Sequence, residues 1–165
     1  MILLPKLGHQ RIEEVKGAPL MGFTDGSTGE LVWGFPARFD QTRVPMLARL
    51  RKPGQNAPHA SCVIETRPPE SFLTSDDYVI VPDLSKDVDV EGDQFSIGGN
   101  QTALFLGKDR VQLLVHSSPG AQGIYLLDLA SGTVSRRSND RIAMFKHFQI
   151  GLPGPNDTVH WIFHA

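Results

Sequence analysis

The sequence predicts a mainly β, largely antiparallel fold, with one or two short helices packed against the sheet. The chain has 165 residues, of which 16 are glycine and 12 are proline. Glycine and proline interrupt the chain every few positions, which is typical of short strands joined by turns. A chain of this length normally forms one core. We therefore expect one domain, residues 1–165, built as a single antiparallel sheet, a sandwich or a partly open barrel.

About ten strands are expected, because short apolar or alternating segments lie between the turn signals. The first two flank a loop that contains Asp-Gly, which is the pattern of a β-hairpin. Four strands in the second half follow one another through short turns, which favours an antiparallel meander. The predicted strands are residues 20–23, 30–35, 61–66, 78–81, 87–91, 102–106, 110–116, 123–129, 133–137 and 159–163.

Residues 42–52 are the best helix candidate. Val44, Leu47 and Leu50 recur at three-residue spacing, and a proline and a glycine follow the segment. Residues 71–73 are interpreted as a short turn and residues 151–155 as a loop, whereas residues 142–148 fit either a helical turn or a strand. The core is expected to contain Trp33, Phe35, Val63, Ile64, Val79, Val81, Leu104, Leu106, Leu113, Val115, Tyr125, Leu127, Trp161 and Phe163.

Charge is sorted by segment. Residues 70–93, here called the acidic segment, carry eight acids and one Lys86, a local net charge of −7, whereas the whole chain carries −2. Residues 38–67 carry six basic and two acidic side chains, a local net charge of +4. Like charges held close together raise the energy of a fold unless they face water or an oppositely charged partner.

Two interpretations of the acidic segment remain open. Its carboxylates either protect an edge strand from aggregation or form a docking surface for a basic protein, where they speed encounter and fix orientation. An EF-hand is excluded, because position 12 of the loop that begins at Asp87 is Gly98 and supplies no carboxylate. The candidate partner-binding residues are Asp76, Asp77, Asp83, Asp87, Asp89, Glu91 and Asp93.

The histidines suggest an alternative, enzymatic function. His160 and His164 lie four residues apart and would share one face of a regular strand, opposite Trp161, which makes them weak candidates for a metal site. With His116 or His147 and a carboxylate they would support a small metal-assisted or histidine-dependent hydrolase. The spacing is informative mainly on a helix that adds a glutamate, so non-ligand histidines are the more common outcome.

Other features exclude classes of function and point to a compartment. The chain matches no phosphate-binding or dinucleotide motif, so no cofactor is expected. Its pI of about 6.3 makes a nucleic-acid partner unlikely, and we interpret Arg43, Arg49, Arg51 and Lys52 as partners of the acidic segment. No segment has the length of a membrane span. The single cysteine, Cys62, and an apolar N-terminal run too short for a signal peptide favour the cytoplasm.

Residues 124–134 and 144–148 resemble the C-terminal part of SUKH-type toxin-immunity proteins. In that family a strand, a glycine-containing turn and a second strand precede a short helix that bears aromatic residues. The resemblance implies a protein that binds and neutralises a toxin domain and is not an enzyme. It spans residues 124–148, about 25 residues of the chain, and identifies no functional residue.

The leading hypothesis is a non-catalytic binding protein, for example an inhibitor or immunity protein, that presents acidic residues to a basic partner. It depends on the segregated charge and on the lack of a catalytic motif in the sequence. The histidine-dependent hydrolase is the first alternative. The second is a structural subunit of a larger assembly, in which the aromatic strand faces would be interface instead of core.

Overall fold

The computed structural model describes fifteen β-strands and one 3₁₀ turn, Ile12–Glu14. Its described residues are 8–39, 46–54, 57–65, 69, 71–86, 88–89, 101–117, 124–136 and 143–165. Within these ranges there is no α-helix. The strands are β1 (Gly8–Arg11), β2 (Leu20–Thr24), β3 (Leu31–Phe39), β4 (Met46–Arg51), β5 (Ser61–Glu65), β6 (Ser71–Ser75), β7 (Val79–Pro82), β8 (Val88–Asp89), β9 (Leu104–Leu106), β10 (Val111–His116), β11 (Ile124–Asp128), β12 (Thr133–Arg136), β13 (Ala143–Phe145), β14 (Phe148–Pro153) and β15 (Val159–His164).

Six strands close into a barrel, in the order β3, β4, β5, β10, β11 and β12. Four of the six pairings are antiparallel. The β5–β10 and β12–β3 pairings are parallel and complete the circle. Closure leaves these six strands without an open edge along the barrel, so their backbone groups are paired within the fold.

The barrel sheet extends on two sides, and a second sheet lies beside it. On one side β2, β6 and β1 continue from β3. On the other, β9, β13 and β8 continue from β10. A separate three-stranded sheet, here called the small sheet, has the antiparallel order β15, β14, β7.

One buried cluster joins the barrel to the small sheet. Barrel residues such as Phe35, Cys62 and Leu113 lie in the same apolar cluster as Phe148 and Phe163 of the small sheet. Each of these five side chains is at most 1% exposed. Burial of apolar surface is the main favourable term in folding, so the small sheet is held to the barrel by the shared core.

The mainly β, largely antiparallel prediction is confirmed. The hairpin β2–β3 forms where the Asp-Gly loop predicts it, with its loop closed by hydrogen bonds from the Asp25 N–H to the Glu30 carbonyl and from the Gly29 N–H to the Asp25 carbonyl, both 2.8 Å. Strands β9 to β12 form the expected meander. The partly open barrel among the expected architectures is close to the observed closed one.

The predicted helix at residues 42–52 is wrong within the described residues, because residues 46–51 form β4. This strand pairs with β3 and β5, and both of its faces are covered. Leu47 packs in one apolar cluster, whereas Ala48 and Leu50 pack in another. A strand that is buried on both faces does not alternate simply between apolar and polar residues. In β4 the resulting spacing of apolar residues resembles that of a helix.

Two other local interpretations are wrong, and an ambiguous segment adopts the strand that was one of its two alternatives. The segment interpreted as a turn at residues 71–73 belongs to β6, which is paired on both sides by β1 and β2. The loop proposed at residues 151–155 begins inside β14, whose strand continues to Pro153. The ambiguous segment 142–148 supplies strands β13 and the start of β14. The aromatic-bearing helix that the SUKH resemblance implies there is therefore not observed.

Most of the expected core residues are buried, with two exceptions. Val81 is 45% exposed and Trp161 is 37% exposed. Val79, Leu106 and Tyr125 are only partly buried. Both exposed side chains belong to the small sheet.

None of the helical structure in the described ranges is long and apolar enough to cross a bilayer.

Candidate functional site

The small sheet brings together residues from both sequence-based site predictions. Asp76 and Asp77 precede its strand β7, and Asp83 follows it directly. The histidine pair, His160 and His164, lies on β15 at the opposite edge of the same sheet. Segments about 80 residues apart in the sequence therefore meet on three strands.

The outer face of the small sheet carries its exposed apolar side chains. Val81 pairs with Gln149, which pairs with His164, so these three residues form one row across the sheet. Val79, Gly151 and Trp161 form the next row on the same face. We call these two rows the outer face. Exposed aromatic and aliphatic side chains surrounded by polar groups are typical of interaction surfaces.

Gly151 allows the side chain of Trp161 to approach this face closely. A Cβ atom built on Gly151 would lie 2.8 Å from Cε3 of Trp161 and would also overlap Val159. A side chain at residue 151 would therefore push the indole away from the sheet. The glycine fixes how the tryptophan is presented to solvent.

The acids at the ends of β7 are accessible to solvent. Asp76 and Asp77 are exposed, and Asp83 is half-buried. Hydrogen bonds from the Ser85 hydroxyl (2.6 Å) and the Ser85 N–H (3.0 Å) hold the pKa of Asp83 below its usual value. A carboxylate that accepts such bonds stays charged to lower pH.

Tyr78, at the start of β7, ties the strand to the barrel. Its hydroxyl donates to the carbonyl of Ala18 (3.1 Å) or of Leu129 (3.3 Å). Burial, together with the negative charges of Asp76 and Asp128, raises the pKa of the phenol to about 12. The phenol therefore stays neutral and acts as a donor, and the acids around it create a negative potential at this end of β7.

The other predicted partner-binding acids are only partly covered by the described residues. Asp89 lies on β8, paired in register with Met144 of β13, at the end of the large sheet. Asp87, Glu91 and Asp93 lie outside the described residues. The acidic segment thus supplies the last strand of each sheet, β7 and β8, in agreement with the interpretation of charged edge strands.

The prediction that His160 and His164 share a face is wrong. His164 pairs with Gln149 and His160 pairs with Leu152, with a bulge that inserts an extra residue into β15. Residues 149 and 152 are three apart on a strand and point to opposite faces, so the two histidines do as well. The imidazole of His164 is hydrogen-bonded at Nδ1 to the Gln149 amide, at 2.9 Å.

His164 instead shares a cleft with His147 and Asp83. This cleft, of about 470 Å³, is also lined by Leu84 and Phe148. The N–H of Asp83 donates to the carbonyl of His147 at 2.9 Å, and the His147 charge also contributes to the lowered pKa of Asp83. A base and a carboxylate beside a cleft is the arrangement that the hydrolase alternative requires.

His116 lies apart from this cleft, at the end of β10, and is 6% exposed. Its Nε2 atom forms a 3.0 Å hydrogen bond with the carbonyl of Gln101. This contact satisfies a buried ring nitrogen and suits a structural histidine. Among the described residues, no group of three or more histidine, cysteine or carboxylate side chains is arranged to hold a metal ion.

Among the described residues, the basic residues of β4 pair with acids outside the acidic segment, which differs from the predicted pairing with that segment. Arg49 donates to Asp25 at 2.9 Å and to Glu65 at 3.3 Å, and Arg51 lies 3.6 Å from Glu65. Arg43 lies outside the described residues. The positive charge of β4 is therefore balanced locally, which leaves the described acids of the small sheet available to another partner.

A second cleft, of about 820 Å³, lies beside β4 and is lined by Arg49, Arg51, Lys52 and Glu30 together with apolar residues. Two of its three cations are engaged by the carboxylates named above. Its charge is mixed, so it presents no strong positive potential to an anion.

The sequence did not reveal the outer face as a candidate site. Val81 and Trp161 were assigned to the core, because an alternating apolar strand does not show which of its faces is buried. The available signals were the glycine at residue 151 and the proline at residue 82, since both mark irregular or edge positions in strands.

No family model, curated protein or solved structure matches this chain.

Proposed function

We propose that this protein is a non-catalytic binding module that docks a basic protein on the outer face of the small sheet. One observation carries the proposal: two exposed apolar side chains, Val81 and Trp161, lie on a strand face whose edge strand is flanked by carboxylates. An aromatic side chain supplies much of the binding energy at protein interfaces. Flanking charges mainly increase the rate and the specificity of association.

Two finer aspects belong to this proposal. The resemblance of residues 124–134 to SUKH-type immunity proteins supports a role as an inhibitor of a toxin or an enzyme. Strand β11, the turn at Gly132 and strand β12 lie in the part of the chain that carries this resemblance, whereas the implied helix is not observed. The buried free thiol of Cys62 is compatible with a cytoplasmic site of action.

The test is affinity capture of partners from native lysate at low and high salt, followed by mass spectrometry. We expect one dominant basic protein, lost at high salt because screening weakens surface charge interactions. The purified partner is then measured against Trp161→Ala and against Asp76→Asn/Asp77→Asn. We expect about a tenfold or greater loss of affinity for the first variant and slower association with a smaller salt dependence for the second.

Glu14→Gln/Glu30→Gln is the matched control. It removes the same charge from two exposed positions outside the small sheet and should leave association unchanged. Equal association of the wild-type protein and both double variants would contradict the proposed acidic surface. If Trp161→Ala bound the partner with unchanged affinity, the outer face would be ruled out as the docking surface. A stable homo-oligomer that buries Trp161 would instead support a structural subunit.

The shared cleft of His147, His164 and Asp83 supports one alternative, a histidine-dependent or metal-assisted hydrolase. Under this alternative, protein purified without added metal contains stoichiometric zinc or hydrolyses a generic ester substrate. His147→Ala/His164→Ala would then lose that zinc or activity, while His160→Ala would retain it. Metal-free, inactive wild-type protein would contradict the alternative.

A further inference from the structure

Strand β7 has one paired side and one open side. It pairs with β14 through residues 79–82. Within the part of the chain that the structure describes, no strand pairs with its other side. A strand edge with unpaired N–H and C=O groups is a template for a further strand.

The register shows which backbone groups lie on the open side. The N–H of Asp83 donates to the carbonyl of His147 at 2.9 Å, so the backbone groups of Asp83 point to β14. Backbone groups of alternate residues on a strand point to the same side. Those of Val81 and Val79 therefore also point to β14. The groups of Tyr78 and Ile80 therefore point to the open side, as does the carbonyl of Pro82. A proline at this position is tolerated because no N–H is needed there.

An apolar cleft borders this open side. It has a volume of about 430 Å³ and lies between β7 on one side and strands β9 and β10 on the other. Val111, which lines it, is 38% exposed. Tyr78, Ile80 and Pro82 line it on the β7 side, and Leu104, Leu106 and Val111 line the opposite side. Alternate side chains of an added strand would find an apolar surface there.

The charges around the open side favour a basic occupant. Asp76 and Asp77 lie at one end of β7 and Asp83 at the other, and Asp109 lines the cleft. The nearby cations, Lys86, Lys108 and Arg110, are exposed and do not line it. Antiparallel pairing of β7 with a second copy of itself would place Asp76 and Asp77 against the partner copy's Asp83, which like-charge repulsion disfavours.

We infer that the open side of β7 receives an extended basic segment of the partner as an additional strand, with its apolar side chains in the adjoining cleft. This inference rests on the proposed function and specifies how the partner is held. Main-chain hydrogen bonds to Tyr78, Ile80 and Pro82 supply affinity, while Asp76, Asp77 and Asp83 select basic side chains.

The test uses a synthetic peptide that alternates lysine with valine and threonine, and two matched peptides. One replaces each lysine with glutamate. The other keeps every side chain but replaces its central amides with esters, which removes backbone donors. We expect the lysine peptide to bind in calorimetry, the ester peptide to bind about tenfold or more weakly because donors are lost, and the glutamate peptide not to bind.

Amide hydrogen exchange locates the added strand. Binding should slow exchange at Tyr78 and Ile80, whose N–H groups face the open side, and change little at Val79 and Val81, which already pair with β14. Asp76→Asn/Asp77→Asn should weaken binding of the lysine peptide, whereas Glu14→Gln/Glu30→Gln, outside the small sheet, should not.

Four outcomes would overturn the inference: no binding of the lysine peptide, equal binding of the ester peptide, equal binding of the glutamate peptide, or protection confined to other strands. None of these outcomes decides the proposed function, because the captured partner could still dock on Trp161 of the outer face. Conversely, if Trp161→Ala bound the captured partner as tightly as the wild type, the outer face would be ruled out as the docking surface. The peptide result would still stand.

Discussion

At the scale of residues, Arg49 links three separate parts of the chain. It contacts Asp25 in the β2–β3 loop and Glu65 at the end of β5. Its guanidinium also lies 5.8 Å from the centre of the Phe23 ring, within the range of a cation–π contact. The side chain is 24% exposed, and its Nε atom is buried without a partner among the described residues. The contacts of Arg49 therefore hold the β2–β3 hairpin against the barrel. This is a structural role, not a ligand-binding one.

Asp25→Asn should change how stability depends on pH. Hydrogen bonds from Ser27, with a contribution from Arg49, lower the pKa of Asp25 from 3.8 to about 2. Because the folded pKa is depressed, the stabilisation is present above pH 3.8 and is lost as the pH falls towards about 2. Urea unfolding across this range should show that the difference between wild type and variant shrinks as the pH falls.

Asp157→Asn is the control for that experiment, because it removes one carboxylate from an exposed turn in which asparagine is well tolerated (φ 58°). A difference between wild type and Asp25→Asn that stays constant from neutral pH to about pH 2 would contradict the assignment.

At the scale of elements, the two faces of the small sheet differ in burial. Phe148, Ile150 and Phe163 are at most 1% exposed and belong to the cluster that includes the barrel interior. Val81 and Trp161, on the outer face, are accessible. Substitutions on the inner face should therefore affect stability more than substitutions on the outer face.

Phe148→Ala should destabilise the whole protein by about 3–5 kcal/mol, the usual cost of a large cavity in a packed core. Val81→Ala, on the outer face of the neighbouring strand, should change stability by about 0.5 kcal/mol or less. Urea unfolding followed by tryptophan fluorescence and circular dichroism measures both. Equal effects of the two substitutions, or separate transitions for the two probes in Phe148→Ala, would show that the small sheet is not part of the shared core.

At the scale of the whole molecule, barrel closure depends on pairings between distant segments. Strand β3 pairs with β12, and β5 pairs with β10, in parallel. These pairings close long loops. The conformational entropy lost when the loops close is offset only when the complete core forms. Opening of the barrel should therefore be a global event.

Cys62 provides a measure of that opening. It lies in β5 with no exposed surface, and burial raises the pKa of its thiol to about 12. Both effects suppress its reaction with a thiol reagent in the folded state. We expect labelling at neutral pH to be slow in buffer, to accelerate with urea in parallel with unfolding, and to be immediate in denatured protein. Rapid stoichiometric labelling of the native protein would contradict a closed barrel.

The sequence alone determined the features that depend on local pattern. Alternating apolar residues and glycine- and proline-rich turns predicted the mainly β fold, the β2–β3 hairpin and the meander from β9 to β12. Charge counting located the acidic segment, because it needs no knowledge of the fold. These predictions hold because residues close in sequence decide turns and strand periodicity.

Only the tertiary structure decided the features that depend on distant partners. Strand β4 is covered on both faces by clusters from other parts of the chain, so its apolar spacing resembles a helix. The bulge in β15 separates His160 from His164 and places Trp161 on the outer face with Val81. Strand β7 is an edge because of its position in the small sheet. Burial, facing and edge position arise from packing between segments far apart in sequence, which no local pattern encodes.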